Sequence, residues 1–324
     1  MSFYLCNSMI IQIVILIIGF IVLIKGADLF VDAASSLAAN FKVSKMLIAL
    51  TIVSFGTSAP ELAVSIKSML SGSGDIVLGN VVGSNILNIL LILGVAGCVH
   101  FLNVKNATVK KELPITILLS TILFVVMNDI LISNSKVNSL TRSDGIIILL
   151  FFLVFVYYLI SSMRNKIDAT EEKPKYNILK SIFFTVIGIV CLVLGSNAVV
   201  DSASAIARII GVSERLISLT IIALGTSLPE LVTSVVATRK GEYDIAIGNV
   251  VGSNIFNIGI VLGIPLTIFG GIKSFSINMV DVVVMVLSSV LLLLFSFKDR
   301  KISKIEGIIF LIIFVVYYIF VIFA

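Results

Sequence analysis

Two short stretches set a proline beside an acid inside apolar runs: GTSAPE at 56–61 and GTSLPE at 225–230. A proline within a helix has no amide donor and pushes away the carbonyl four residues earlier, here that of Gly56 or Gly225. In hydrocarbon a freed carbonyl is tolerated only where protein, water or an ion satisfies it. The segments Gly56-Thr57-Ser58 and Gly225-Thr226-Ser227 therefore read as unwound stretches that offer carbonyl and hydroxyl oxygens. Glu61 and Glu230 follow directly and are read as the only acids deep in the apolar runs. At mid-bilayer a lone carboxylate costs roughly 3 kcal/mol or more. The chemistry expected of these two is cation binding; the alternative is protonation or pairing with a basic side chain, and no Lys or Arg lies at matching depth.

A second motif, GNVVGSN at 79–85 and again at 248–254, adds oxygens. Ser84 and Asn88 are four residues apart and share a helix face, as do Ser253 and Asn257, while Ser58 and Glu61 share one at a spacing of three. Carboxylates, amide oxygens, hydroxyls and carbonyls form a hard set that suits Ca²⁺, which takes about six to eight oxygens in flexible geometry. Sodium can use subsets of them.

The elements that must carry these residues are membrane spans. The chain of 324 residues is 59% hydrophobic and 13% charged, which excludes an ordinary soluble domain. Runs long enough for helices of about 20 residues lie at 9–31, 43–69, 76–99, 114–133, 145–163, 178–200, 213–238, 244–270, 279–297 and 304–323. This predicts an all-α polytopic membrane protein of ten transmembrane helices, broken in the second and seventh. With the N-terminus outside, the inner loops and span ends hold 16 of the 23 basic residues, Lys166 among them, and the outer ones hold six, Arg215 among them. The positive-inside rule then places both termini outside, and the basic residues need no nucleic-acid partner.

From Phe55 to Ile89, 20 of 35 positions recur without a gap 169 residues later, and the matches include Gly, Ser, Thr, Asn, Pro and Glu. Duplication explains this. An odd number of spans per copy starts the second from the opposite side, so the halves are inverted repeats, as in many secondary transporters. The expected organisation is a first repeat at 1–163, a cytoplasmic linker at 164–177 and a second repeat at 178–324, moving its substrate by alternating access. The first span lacks a basic leader and has an echo in the second half, which argues against a cleaved signal.

Other residues carry less. Cys6, Cys98 and Cys191 have no metal-ligand spacing. Gly79, Gly83, Gly248 and Gly252 fit small-residue helix packing. His100 is single, and Asp32 and Asp201 fall near span ends, where capping or interfacial exposure competes with ion guidance. GSGD at 72–75 with Tyr243-Asp244 resembles an intramembrane aspartyl protease pattern. Asp75 and Asp244 are repeat equivalents, however, and inversion puts them on opposite faces, where they could not share one water. A channel selecting an ion with the same oxygens stays open.

The paired GTS(A/L)PEL and GNVVGSN(I) motifs resemble those of the cation/calcium antiporter superfamily, and within it the sodium/calcium exchanger family, over essentially the whole chain. The resemblance implies a four-site ion pocket between spans 2, 3, 7 and 8, and electrogenic Na⁺/Ca²⁺ exchange by sliding of spans 1 and 6 past a fixed core. It implies that Glu61 and Glu230 bridge calcium, that Thr57 and Thr226 give backbone carbonyls, that Ser58, Ser84, Ser227 and Ser253 serve sodium, and that Asn88 and Asn257 complete the pocket. The best-known exchangers carry an aspartate where this chain has Asn257, so the pocket is formally −2, with two carboxylates and two amides. That charge balances one Ca²⁺ or two Na⁺, and a third Na⁺ would be in excess in a low-dielectric site. GNVVG in both copies, in place of the GNxxE of proton-coupled members, argues for sodium; proton or potassium coupling remains the alternative. The partners implied are Ca²⁺, Na⁺ and the lipid bilayer, with no cofactor, no catalysis and no obligate protein partner, in a plasma membrane.

Overall fold

The computed structural model describes residues 2–133, 136–164, 170, 172–273, 275 and 277–323, with backbone alone at 2–8, 133, 214, 215, 218 and 219. Of the predicted linker, residues 165–169 and 171 lie outside the described residues, as do the side chains of Cys6 and Arg215.

Among the described residues, ten helical segments occupy the predicted spans. They are span 1 (Ser2–Phe41), span 2 (Lys45–Thr57 with Ala59–Leu70), span 3 (Gly74–Val99), span 4 (108–126), span 5 (Arg142–Arg164), span 6 (Ile178–Ile209), span 7 (214–225 with Leu228–Arg239), span 8 (Tyr243–Phe269), span 9 (Met279–Asp299) and span 10 (Lys304–Phe323). Seven are long and apolar enough to cross a membrane unaided, and span 2, bent by 46° at Ser58, makes an eighth. Span 4 misses that test because Lys110, Lys111 and Glu112 sit in its first turns, and span 7 because it is interrupted before Pro229. Entry points are sequence-coded: Ser44, Asn177 and Asn278 cap spans 2, 6 and 9, each accepting a backbone N–H at 2.9 to 3.1 Å.

Several boundaries differ from expectation. Spans 1 and 6 run on to Phe41 and Ile209 rather than ending near 31 and 200. Their polar ends stay helical because Ala33, Ala34, Leu37 and Ala38 of span 1 and Ala207 of span 6, interspersed among the polar residues, are buried, a packing gain that window hydropathy does not register. Span 4 stops at Val126, and a turn at Met127–Asn128 leads into a separate short helix, Asp129–Ser133.

Spans 3 and 8 are the centre: 72% and 89% of their apolar windows are buried, against 11% for span 10. Spans 1 and 6 lie along each other through symmetry-related glycines. A Cβ on Gly26 would stand 2.5 Å from that of Cys191, and one on Gly195 would stand 2.8 Å from the Leu23 amide nitrogen. Among the described residues four short strands, absent from the all-α expectation, join the repeats. β1 (Leu102–Asn103) and β4 (Lys301–Ile302) pair antiparallel, as do β2 (Ser139–Thr141) and β3 (Gly271–Lys273). Each pair takes one strand from either repeat. The ten-span order puts the first pair on the face that carries the linker, and the second on the face that carries both termini.

The expected small-residue packing holds on one side of the centre. Cβ atoms on Gly248 and Gly252 would meet Ala49 Cβ at 2.5 Å and Ser54 Oγ at 2.1 Å, whereas among the described residues nothing comes within 4 Å of such an atom on Gly79 or Gly83. Gly252→Ala is expected to cost about 1–3 kcal/mol through overpacking, and Gly79→Ala to leave stability level or raise it, by up to about 1 kcal/mol of helix propensity. Thermal unfolding of the two variants in detergent checks the contrast.

Candidate functional site

Ser58 and Ser227 are the hinges of the two broken spans, with near-identical backbone angles (φ −83, ψ 5 and φ −88, ψ 4), and Pro60 and Pro229 open the helices that follow. This is the break the sequence predicts, and it turns Glu61 and Glu230 inward, where each is 1% exposed. One expectation is corrected: the Gly225 carbonyl accepts the Ser196 hydroxyl of span 6 at 2.8 Å, so a side chain already meets that freed oxygen. Span 1 has Ala27 at the equivalent place.

The predicted residues converge. Glu230 Oε1 accepts hydroxyls from Ser58 at 3.2 Å and Ser253 at 3.5 Å. Ser227 donates to Ser84 at 3.4 Å, and the Thr57 and Ser253 hydroxyls lie 3.4 Å apart. Thr226 stands beside Glu61, and the Glu61 and Glu230 carboxylates interact electrostatically across the pocket. Of the ten, nine are buried and Thr226 is half-buried.

Asparagines that the helix-face spacing passed over hold the frame. Asn88 donates its amide to Asn254 Oδ1 at 2.9 Å, and Asn257 donates to Asn85 Oδ1 at 3.2 Å. Asn80 ties to the Glu61 carbonyl at 3.1 Å and to Ser65 at 3.3 Å; Asn249 ties to the Glu230 carbonyl at 3.3 Å and to Ser234 at 2.9 Å. The available signal was the recurrence of both motif asparagines in apolar helices. From Asn88 to Leu93, and from Asn257 to Leu262, the helix widens to π-helical turns, each beginning at a pocket asparagine. Such bulges re-aim side chains and recur at functional sites.

Five acceptor oxygens are left in this buried ring without a hydrogen-bond donor among the described residues: both of Glu61, Oε2 of Glu230, and Oδ1 of Asn88 and Asn257. Buried acceptors are normally paired. An acceptor-only set fits a cation, and a hard one. Among the described residues no cluster of three or more His, Cys, Asp or Glu exists to hold a softer metal.

The pocket wall is tight toward the linker face and loose toward the terminal face. Ser54, wholly buried, donates to the Ala49 carbonyl at 2.7 Å and lies 3.2 and 3.1 Å from those of Gly248 and Asn249. Its counterpart Ala223 is exposed and has no hydroxyl, and Gly79 is exposed where Gly248 is buried. Ion pairs reinforce the linker face. Lys240 meets Asp28 at 2.7 Å and Asp32 at 2.6 Å, Lys175 meets Asp32 at 2.5 Å, and Lys45 bridges Glu172 at 2.6 Å and Glu242 at 2.8 Å. Hydrogen bonding to Asp32 holds the Lys175 ammonium above its ordinary range. Asp32 is thus an ion-pair anchor.

His100 is exposed and stacks on Tyr243, whose hydroxyl is 3.0 Å from Nδ1. Asp244 pairs with Lys105 at 2.7 Å on the linker face, while Asp75 lines a cleft beside Lys273 on the other, as expected for residues unable to form one dyad. The expectation that Glu61 and Glu230 are the only deep acids is corrected. Span 4 begins at 108 rather than 114, so Glu112 is buried too and accepts the Tyr158 hydroxyl; its repeat equivalent Asp281 accepts that of Tyr317 at 2.9 Å.

Two inverted five-helix repeats around a buried, acid-bearing oxygen pocket define a membrane transporter. The chain belongs to the sodium/calcium exchanger protein family, whose sequence profile matches residues 11–161 and 180–323. It is 38% identical over 320 residues to the putative antiporter CaxA of Alkalimonas amylolytica, covering 95% of this chain and 98% of that protein. It is 38% identical over 267 residues to the inner membrane protein YrbG of Escherichia coli (strain K12), covering 79% and 80%. The fold matches a solved structure of the sodium-calcium exchanger NCX_Mj, soaked with Na⁺ and no Ca²⁺, with a TM-score of 0.81 at 30% identity over 98% of this chain and 99% of that one.

Removing the Ser54 hydroxyl deletes a tie worth about 1 kcal/mol. Ser54→Ala is expected to speed amide hydrogen exchange roughly fivefold in 45–57 and 245–252, while Ala223→Ser protects 74–83; exchange mass spectrometry in detergent checks both.

Proposed function

We propose that the protein is a secondary antiporter that exchanges Na⁺ for Ca²⁺ by alternating access, with both ions competing for the pocket of Glu61 and Glu230. The observation that carries this is a set of five buried acceptor oxygens, three of them on the Glu61 and Glu230 carboxylates, that meet no hydrogen-bond donor among the described residues. Glu61 and Glu230 supply the charge, and Asn88 and Asn257 supply neutral oxygens. The Thr57 and Thr226 carbonyls and the hydroxyls of Ser58, Ser84, Ser227 and Ser253 complete the shells of ions in the same cavity. An ion-free pocket leaves two like charges facing each other in a dry interior, which resists closure; occupation by either ion removes that repulsion. Coupling follows, because the carrier crosses only when loaded.

The loose terminal-face wall gives the ions their entry in this conformation, and the repeat supplies a mirror-image state opening to the linker face. Spans 1 and 6, joined along their glycine seam, are the unit that moves. With the termini outside, the described state faces the exterior of a plasma membrane. The kinship to a named antiporter and a named sodium-calcium exchanger supports the reading.

Proteoliposomes loaded with Na⁺ and diluted into Na⁺, K⁺ or choline media test it by uptake of radioactive calcium. Uptake is expected only with an outward Na⁺ gradient, and is expected to fall at least a hundredfold in Glu61→Gln and in Glu230→Gln, from loss of about 3 kcal/mol or more of charge pairing. Uptake indifferent to Na⁺ but driven by a pH gradient would replace sodium by protons as the counter-ion.

A further inference from the structure

We propose that Ser196 is a positioning residue that selects one end state of the carrier: from the moving unit it caps the carbonyl that Pro229 frees, and only while the terminal face is open. The proposal rests on the alternating-access function above. Inside a helix a serine or threonine hydroxyl ordinarily turns back on the carbonyl four residues earlier, as those of Ser36, Thr116, Thr238 and Thr267 do at 2.8 to 3.0 Å. Ser196, itself buried, reaches instead across to the Gly225 carbonyl of span 7 at 2.8 Å. Val200, one turn further along the same face of span 6, closes over that glycine, where a Cβ would stand 2.5 Å from its Cγ2. Span 6 and the hinge of span 7 are thus seated on each other at two adjacent points.

The first half is not seated in this way. Ala27 and Val31 are the repeat equivalents of Ser196 and Val200. A Cβ on Gly56 would meet Ile189 Cδ1 of span 6 at 2.7 Å and Phe30 Cζ at 3.4 Å, so the nearest atoms belong to those two residues and not to Val31. When inverted repeats switch, each half takes up the arrangement of the other. The Ser196 contact therefore belongs to the described state; in the mirror state Ala27 comes to the corresponding place against Gly56 and has no hydroxyl to offer. Sliding of span 6 by one turn, about 5.4 Å, puts the hydroxyl out of reach of Gly225, and the Leu192 carbonyl, four residues back, then accepts it. One net hydrogen bond tilts the two states roughly fivefold toward the described one.

Amide hydrogen exchange of the whole protein in detergent tests this with Ser196→Ala, Ser196→Thr and Ala27→Ser. In Ser196→Ala, exchange is expected to quicken roughly fivefold in 245–252, behind the closed linker face, with no quickening in 74–83 on the open face. Ser196→Thr, which keeps the hydroxyl, is expected to retain the parent pattern. Ala27→Ser gives the mirror state the same bond and is expected to shift exchange in the direction of Ser196→Ala. Quickening confined to the neighbourhood of 196 and 225, or equal on both faces, marks a merely structural tie and overturns the proposal, as does an Ala27→Ser pattern identical to the parent's. Should Ser196→Ala fail to fold, Ala27→Ser decides alone. Sodium-driven uptake of radioactive calcium by the parent is measured alongside. Its absence overturns the function proposed above, whereas its presence with unshifted exchange in the variants overturns the role of Ser196 alone.

Discussion

Two buried carboxylates in a membrane protein, with no basic partner among the described residues, are the constraint on which the rest of the structure depends. Each is expensive alone and more so beside the other. Such a pair persists only where the surroundings are fixed strongly enough to hold it. The four central helices do this through polar ties between backbone and motif asparagines, with the flanking helices packed around them. The broken spans aim the acids, and the asparagines stop the facing helices from turning their nitrogens toward them. Stability elsewhere in the bundle is what allows an unsatisfied centre.

The repeat gives the site its symmetry, but the two halves do not use it equally. Ser54 and Ala223 occupy equivalent positions; one hydroxyl reaches two carbonyls of the facing helix, and the other position has none to offer. Likewise Ser196 meets a proline-freed carbonyl where the first copy has alanine. These single-atom differences bias a machine whose two end states would otherwise be near mirror images. The cluster of Lys240, Asp28, Asp32 and Lys175 adds to the bias on the same face.

The number of spans, the inversion, the two breaks and the converging residues are all legible in the sequence, because proline, glutamate and a repeated polar motif have few meanings inside hydrocarbon. Less legible was what depends on a neighbour. The lengths of spans 1 and 6 follow from contacts along their polar ends. Asn85 and Asn254 sit three residues before Asn88 and Asn257, but spacing along one helix does not show that each pairs with an asparagine of the facing helix; only the crossing of spans 3 and 8 makes them partners. Glu112 looked like a loop residue because hydropathy starts span 4 too late. The short strands are invisible at two or three residues each.

Those strands bear on how the molecule is made. Leu102 pairs with Ile302, 200 positions later, and Leu140 with Ile272, 132 positions later. At a synthesis rate of about 5–20 residues per second, the first partner waits roughly 10 to 40 s for its mate to leave the ribosome. The nascent first half therefore enters the bilayer with an unmatched edge on each face, and neither half can be finished before the other arrives. A protein descended from a self-sufficient half would have lost the ability to return to one.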